Sequence, residues 1–168
     1  MITILAVRAY YREAKLLSDA ATAAEKAKNN FKMARDAVTK YCTQVAEDPR
    51  LKAHNMEKLR RDLLQLANDY YEKLISQAAE DSDLQHERIS AFLSRGDIEV
   101  ALANPSAGET AYNQALAAAT RLAQVDVDDA ECQSELADSH TRLAELYNKT
   151  GRTSEAEASF KVARAIRK

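Results

Sequence analysis

The chain has 168 residues with only three Gly, two Pro and no Trp, and this composition disfavours β folds, whose strands and turns need β-branched runs punctuated by Gly or Pro. With 24 Lys plus Arg against 26 Asp plus Glu, the formal net charge is −2, so no global field would draw the chain to nucleic acid or anionic lipid. We therefore expect an all-α protein with no nucleic-acid partner.

The first predicted element is a long helix from Met1 to Asp48, a stretch without Gly or Pro. An apolar residue recurs there at every seventh position, with a second series of mostly small residues three positions later. Such a period favours a supercoiled partner helix in the same chain or in another one, so a homodimer through this helix is a further expectation. Asn29 and Asn30 are poor helix formers, which leaves open a division into two helices. The first series is Tyr10, Leu17, Ala24, Phe31, Val38 and Val45, and the second is Ala20, Ala27, Ala34 and Tyr41.

The apolar start from Ile2 to Val7 is too short to span a bilayer or to form a signal core. We expect a soluble chain without direct membrane contact, although such a start also suits a chain cut from a longer protein.

Cys42 and Cys132 each lie in an apolar helical pattern, which favours buried free thiols in a reducing compartment. We therefore expect a cytoplasmic location.

Asp48 and Pro49 provide a cap and a first-turn residue, and they separate the long helix from a second predicted helix at about residues 56–79. The two helices together form a predicted coiled-coil-like hairpin over residues 1–80. We expect Tyr70 on the core face and Tyr71 beside it. The predicted face consists of Met56, Leu59, Leu63, Ala67, Tyr70, Leu74 and Ala78.

Residues 81–168 contain four more predicted helices, each opened by a small polar residue followed three positions later by Glu or Gln. They cover about residues 83–102, 107–125, 129–149 and 154–167. Short connections within each pair predict two antiparallel hairpins, 83–125 and 129–167. The capping pairs are Ser82 with Gln85, Ser106 with Glu109, Asp128 with Glu131, and Ser154 with Glu157.

The second hairpin alternates small and large residues in a pattern that lets two helices interlock: Leu143, Ala144, Tyr147, Gly151, Ala156, Phe160 and Ala163. This spacing resembles the tetratricopeptide repeat, and the turn at residues 151–156 is similar to the commonest turn of that family. The first hairpin resembles it more weakly, through Phe92, Gly96, Gly108, Tyr112 and Ala115. It departs from the pattern at Arg95, at Glu99 and at the turn of residues 103–105. The resemblance implies an α-solenoid of two hairpins.

The front of the chain carries Phe31, Ala34, Ala37 and Val38, then the strings at residues 48–51 and 59–64, and the pair Tyr70 and Tyr71. These features resemble a helical segment that precedes tetratricopeptide repeats in large bacterial serine/threonine protein kinases. The chain lacks a Gly-rich phosphate loop, a His-Arg-Asp string and an Asp-Phe-Gly string, so it carries no kinase chemistry. The resemblance implies a regulatory or scaffolding arm. The alternative function is a regulatory fragment of a membrane-linked kinase.

Neither a catalytic site nor a metal or cofactor site is predicted. His54, His86 and His140 are far apart in sequence, and none has the spacing of a metal motif. We expect His140 at a packing position between helices. The densest acidic cluster, at residues 126–131, occupies a turn and a helix start, where acids stabilise the helix dipole.

Tetratricopeptide proteins hold extended peptides on the inner surface of their repeats, so the resemblance implies a protein or peptide partner. The basic-and-Asn set that clamps a terminal carboxylate is not at the matching positions, which favours an internal segment as ligand. The predicted function is a non-catalytic protein-protein interaction module or scaffold. The candidate groove residues are Ser90, Leu93, Ser94 and Asp97 in the first hairpin and Asp138, Thr141, Arg142, Glu145 and Asn148 in the second.

Overall fold

The computed structural model describes residues 2–46, 48–50, 56–79, 84–125 and 129–167. These residues are helical apart from short turns and caps, and no strand occurs among them, so the all-α expectation is confirmed. The helices are α1 (Ile2–Val38), α2 (Glu57–Gln77), α3 (Gln85–Ala101), α4 (Pro105–Val125), α5 (Ala130–Lys149) and α6 (Thr153–Ile166). Within the described ranges, no helix is both long enough and apolar enough to cross a bilayer.

The first helix is not divided at the two asparagines. It stays α-helical through Asn29, whose amide donates to Glu25 Oε1 at 3.3 Å, and it continues through a π-helical turn (Thr39–Thr43) to Gln44–Ala46. At that turn the Thr39 hydroxyl donates to the Arg35 carbonyl at 3.0 Å and lies 2.6 Å from the Tyr71 hydroxyl. The prediction of one helix is therefore confirmed as far as Ala46.

Among the described side chains of the first helix, those in its C-terminal part pack against the rest of the chain. Phe31 is buried and Val38 is half-buried, whereas every described residue from Tyr10 to Ala23 is exposed. The seven-residue stripe is thus covered only toward its end, and Val45 at its last position is 44% exposed. The apolar cluster beneath it spans the predicted boundary at residue 80, and that division stays a prediction. Its buried members are Phe31, Ala46, Leu64, Ala67, Tyr71, Leu74, Ala78, Leu84, Ala91 and Ile98.

Helix α2 buries part of its predicted face, namely Ala67, Leu74 and Ala78, but elsewhere it buries the next residue along the chain. Tyr71 is fully buried, whereas Tyr70 is 37% exposed and Leu59 is 48% exposed. The prediction that Tyr70 lies in the core was wrong, because adjacent tyrosines differ by only about 100° around a helix and both fit the apolar stripe. Burial of Tyr71 also gives its hydroxyl a partner in Thr39, which the sequence pattern does not show.

The two polar departures from the repeat pattern in α3 are explained by α2. Glu99 is 7% exposed, and its carboxylate accepts hydrogen bonds from the amides of Asn68 at 3.0 Å and Asn104 at 3.1 Å. Arg95 donates to Glu72 of α2 at 2.7 Å. Large apolar residues are replaced here because this side of α3 meets a polar strip of α2.

Helices α3 and α5 end in the same kind of turn, with equivalent residues 48 positions apart. Both are Schellman motifs, in which two N–H groups beyond the helix bond to carbonyls of its last turn. The left-handed residue is Ala103 (φ 64°) in one and Gly151 (φ 78°) in the other. The bonds are Asn104 N to Glu99 O (2.8 Å) and Ala103 N to Val100 O (3.1 Å) after α3, and Arg152 N to Tyr147 O (2.8 Å) and Gly151 N to Asn148 O (3.2 Å) after α5.

Helix starts differ slightly from the predicted capping boxes. Helices α4 and α6 begin at Pro105 and Thr153, so Ser106 and Ser154 lie in the first turn and are not caps. Asp129 caps α5 through hydrogen bonds to its side chain from the N–H groups of Glu131 and Cys132. The predicted caps Ser82 and Asp128 lie outside the described residues.

Consecutive helices from α2 to α6 are in contact, and α3 also contacts α5. Two glycines allow close contacts between α3 and α4: Gly96 lies against the Tyr112 ring, and Gly108 lies against Val100. Residue 96 of α3 thus meets residue 112 of α4, and residue 100 of α3 meets residue 108 of α4. The two helices therefore run antiparallel. No disulfide joins the two cysteines, of which Cys132 is buried and Cys42 is half-buried.

Candidate functional site

A cavity of about 580 Å³ opens beside the C-terminal ends of α3 and α5. Thr43 of the first helix and Tyr112 of α4 also line it. Its lining mixes charge with apolar surface. The charged residues are Arg60, Asp97, Arg142, Glu145 and Lys149, and the apolar ones are Val100, Ala101 and Leu146. We call this site the groove cavity.

Asp97 is the centre of the polar contacts in the groove cavity. Its Oδ1 accepts hydrogen bonds from the Tyr112 hydroxyl at 2.6 Å and from Arg142 Nη1 at 2.9 Å. Burial raises the pKa of the Asp97 carboxyl, while Tyr112 and Arg142 oppose that rise. Burial also raises the pKa of the Tyr112 phenol, and the neighbouring Asp97 adds to the effect. Tyr112 therefore stays protonated and holds the carboxylate in place as a hydrogen-bond donor.

Arg60 closes the cavity from α2. Its Nη2 donates to the Ala101 carbonyl at 3.3 Å, and its Nη1 donates to Glu57 at 3.2 Å. A guanidinium at the C-terminal end of α3 is favoured by the helix dipole. Fixed cations and anions beside apolar surface suit the recognition of a polar backbone together with an apolar side chain.

Three of the predicted groove residues, Asp97, Arg142 and Glu145, come together in the groove cavity. Ser90 faces the other way and lines a second cavity of about 270 Å³ against α1. Leu93 is half-buried and packs against both the Phe92 cluster and the Tyr112 cluster.

The remaining predicted groove residues lie outside the groove cavity. Asp138 pairs with Arg167 at 2.6 Å. Thr141 donates to the Ala137 carbonyl at 2.8 Å and lines a third cavity of about 350 Å³. Ser94 is half-buried and Asn148 is exposed.

Several groove-cavity residues were not predicted from the sequence. Lys149 lies four residues after Glu145 on α5, so the helical period could have indicated it. Thr43 and Arg60 come from elements far away in sequence, and no local pattern links them to α3 or α5.

A second polar cluster lies at the opposite ends of α3 and α5. Atoms of His86, Glu131 and Glu135 that could bind a metal all lie within 4.8 Å of one another. Burial raises the pKa of Glu135 to about 7, and the His86 hydrogen bond opposes this rise. Burial alone would lower the pKa of His86, but the hydrogen bond and charge of Glu135, with those of nearby acids, outweigh it and raise the pKa. The sequence did not indicate this cluster, because its histidine and its carboxylates are more than forty residues apart.

His140 does not belong to this cluster. His140 is half-buried, as predicted, and burial lowers its pKa. His54 lies outside the described residues.

No protein-family model, no curated protein and no solved structure matches this chain.

Proposed function

We propose that this chain is a non-catalytic protein-protein interaction module of the tetratricopeptide type, which binds an internal segment of a partner protein in the groove cavity. The observation that carries the proposal is the groove cavity itself. It combines the fixed ion pair of Asp97 and Arg142 with the apolar surfaces of Val100 and Leu146.

The repeat character is supported by the 48-residue relation between the two halves. The paired Schellman turns have this spacing, and in it the glycines Gly96 and Gly108 align with the buried residues Ala144 and Ala156. Gly96 corresponds to Ala144 and Tyr112 to Phe160 in this register. Contacts between consecutive helices, with α3 beside α5, are also those expected of a solenoid.

The partner chemistry follows from the cavity lining. Arg142 and Lys149 would attract a carboxylate or backbone carbonyls, and Glu145 would pair with a basic side chain or an amide N–H. The apolar lining would take one aliphatic side chain. An extended segment with mixed polar and aliphatic residues is therefore the proposed ligand class.

The experiment compares affinity capture from the native host by three baits: the wild-type chain, Glu145→Lys, and the matched control Glu157→Lys. Glu157 is also an exposed acid, but it lies on α6 and does not line the groove cavity. Proteins recovered by wild type and by Glu157→Lys should be lost with Glu145→Lys. Equal recovery by all three baits would place the binding surface elsewhere.

We also propose that the chain self-associates through the exposed segment of α1 at residues 10–23, which we call the arm. The specific observation is the exposure of its apolar stripe: Tyr10 is 69% exposed and Leu17 is 68% exposed. An apolar stripe with a seven-residue period is removed from water most completely when it packs along a second, parallel or antiparallel helix. A second copy of the arm would supply that helix.

A further inference from the structure

A histidine of α3 and two carboxylates of α5 form a compact ligand set, separate from the groove cavity. His86 Nδ1 lies 2.8 Å from Glu135 Oε2, and Glu131 completes the group. Glu131 and Glu135 are four residues apart on α5, so they share one helix face. Around a tetrahedral ion with bonds of about 2.1 Å, ligand atoms lie roughly 3.4 Å apart, which small side-chain rotations would reach here.

The second nitrogen of His86 also has a carboxylate partner. Nε2 lies 3.4 Å from Asp129 Oδ2. The other Asp129 oxygen accepts hydrogen bonds from the backbone N–H groups of Glu131 at 2.9 Å and Cys132 at 3.3 Å, which fixes the side chain at the start of α5. A histidine that binds a metal through one nitrogen usually donates its other N–H to such a carboxylate.

A buried carboxylate oxygen of Glu87 is a second, independent observation at this cluster. Glu87 is 5% exposed and lines the same cavity as His86 and Glu131. Lys28 Nζ forms an ion pair with its Oε1 at 3.9 Å, whereas its Oε2 has no hydrogen-bond partner among the described residues. A buried carboxylate oxygen without a donor is costly, and a nearby bound cation lowers that cost.

We propose that His86, Glu131 and Glu135 bind a divalent transition-metal ion of the zinc class, with Asp129 orienting His86 and the Glu87 carboxylate close by. Imidazole nitrogen with carboxylate oxygens is a donor set for zinc, whereas magnesium and calcium prefer oxygen alone. Because its ligands come from α3 and α5, the ion would cross-link these two helices. This site does not depend on the proposed peptide binding.

The test is a titration of the metal-free full chain with Zn²⁺ in competition with a chromophoric chelator. One ion per chain should bind. His86→Gln and Glu131→Gln should each weaken binding by at least the roughly 10- to 100-fold seen when even outer metal partners are removed. Glu157→Gln, which removes an exposed carboxylate from α6, should bind zinc as the wild type does.

Glu131 is exposed, so Glu131→Gln keeps the experiment decisive even if His86→Gln disturbs folding. A second readout is the visible absorption of bound Co²⁺, which should change in His86→Gln if the imidazole is a ligand. Saturable binding that both variants leave unchanged would overturn the proposal, and so would the absence of saturable binding to the wild type.

Discussion

The ring of Tyr112 on α4 packs directly against the backbone of Gly96 on α3, where a side chain at residue 96 would overlap it. A Cβ built there would meet Cε1 and Cδ1 of the ring well inside van der Waals contact. The same tyrosine donates its hydroxyl to Asp97 at 2.6 Å. Because residue 96 has no side chain, the Tyr112 ring can lie close enough to α3 for its hydroxyl to bond to Asp97 in the groove cavity.

Gly96→Ala should lower the free energy of unfolding by about 1–2 kcal/mol, measured by urea denaturation. Overpacking costs roughly 1–3 kcal/mol, and the better helix propensity of Ala recovers up to about 1 kcal/mol. In a Tyr112→Leu background the ring is gone, so the same substitution should be neutral or stabilising. An increase in stability from Gly96→Ala alone would contradict the close contact.

Ala103→Gly should raise the free energy of unfolding by about 0.5–1 kcal/mol. Ala103 has φ 64°, and a left-handed conformation costs a non-glycine residue roughly 1–2 kcal/mol, part of which the more flexible unfolded glycine cancels. Gly151→Ala is the matched reverse exchange and should lower stability by about 1 kcal/mol. Nothing lies within 4 Å of a Cβ at residue 151, so packing does not confuse that result. Changes of the same sign in both variants would argue against equivalent turns.

Helix content and helix positions followed from local sequence, and so did buried positions such as Leu143, Ala144 and Ala163, whereas contacts between residues distant in sequence did not. The absence of Gly and Pro before Asp48 predicted the long helix, and the Gly151 turn predicted the end of α5. The choice between Tyr70 and Tyr71 depends on a hydroxyl partner thirty-two residues away, which no periodicity contains. No periodicity contains the groove cavity either, because Arg60 of α2 joins residues of α3 and α5 there. The cluster around His86 likewise combines residues of two helices that are distant in sequence.

His140 should make the fold less stable in mild acid. Burial lowers its pKa below 6.5, and its Nδ1 has no hydrogen-bond partner within the described ranges. The unfolded chain therefore takes up a proton that the folded chain resists, so stability falls as the pH drops through about 6.5. This single group contributes at most about 1.4 kcal/mol per pH unit.

The measurement is the thermal midpoint of wild type and of His140→Gln between pH 7.5 and pH 5. Other groups titrate in this range, so the quantity of interest is the difference between the two proteins. The wild type should lose more stability than the variant. Parallel pH curves would show that His140 protonates as easily in the folded chain as in the unfolded one.

Leu17→Glu should convert a dimer into a monomer in sedimentation analysis if the arm mediates self-association. The substitution places a charge in the middle of the exposed apolar stripe. Thr22→Glu on the same helix is the matched control, since residue 22 lies away from both stripe series, and it should leave the mass unchanged. A wild-type chain that sedimented as a monomer at high concentration would exclude the arm as an assembly element.

The most direct test of the interaction role is site-specific photo-crosslinking in the native host, with a photoreactive residue in place of Glu145 or of Glu157. Both side chains are exposed, but only Glu145 lines the groove cavity. We expect a discrete crosslinked partner protein from position 145 and none from position 157. Crosslinks from position 157 alone, or the same pattern from both positions, would contradict this expectation.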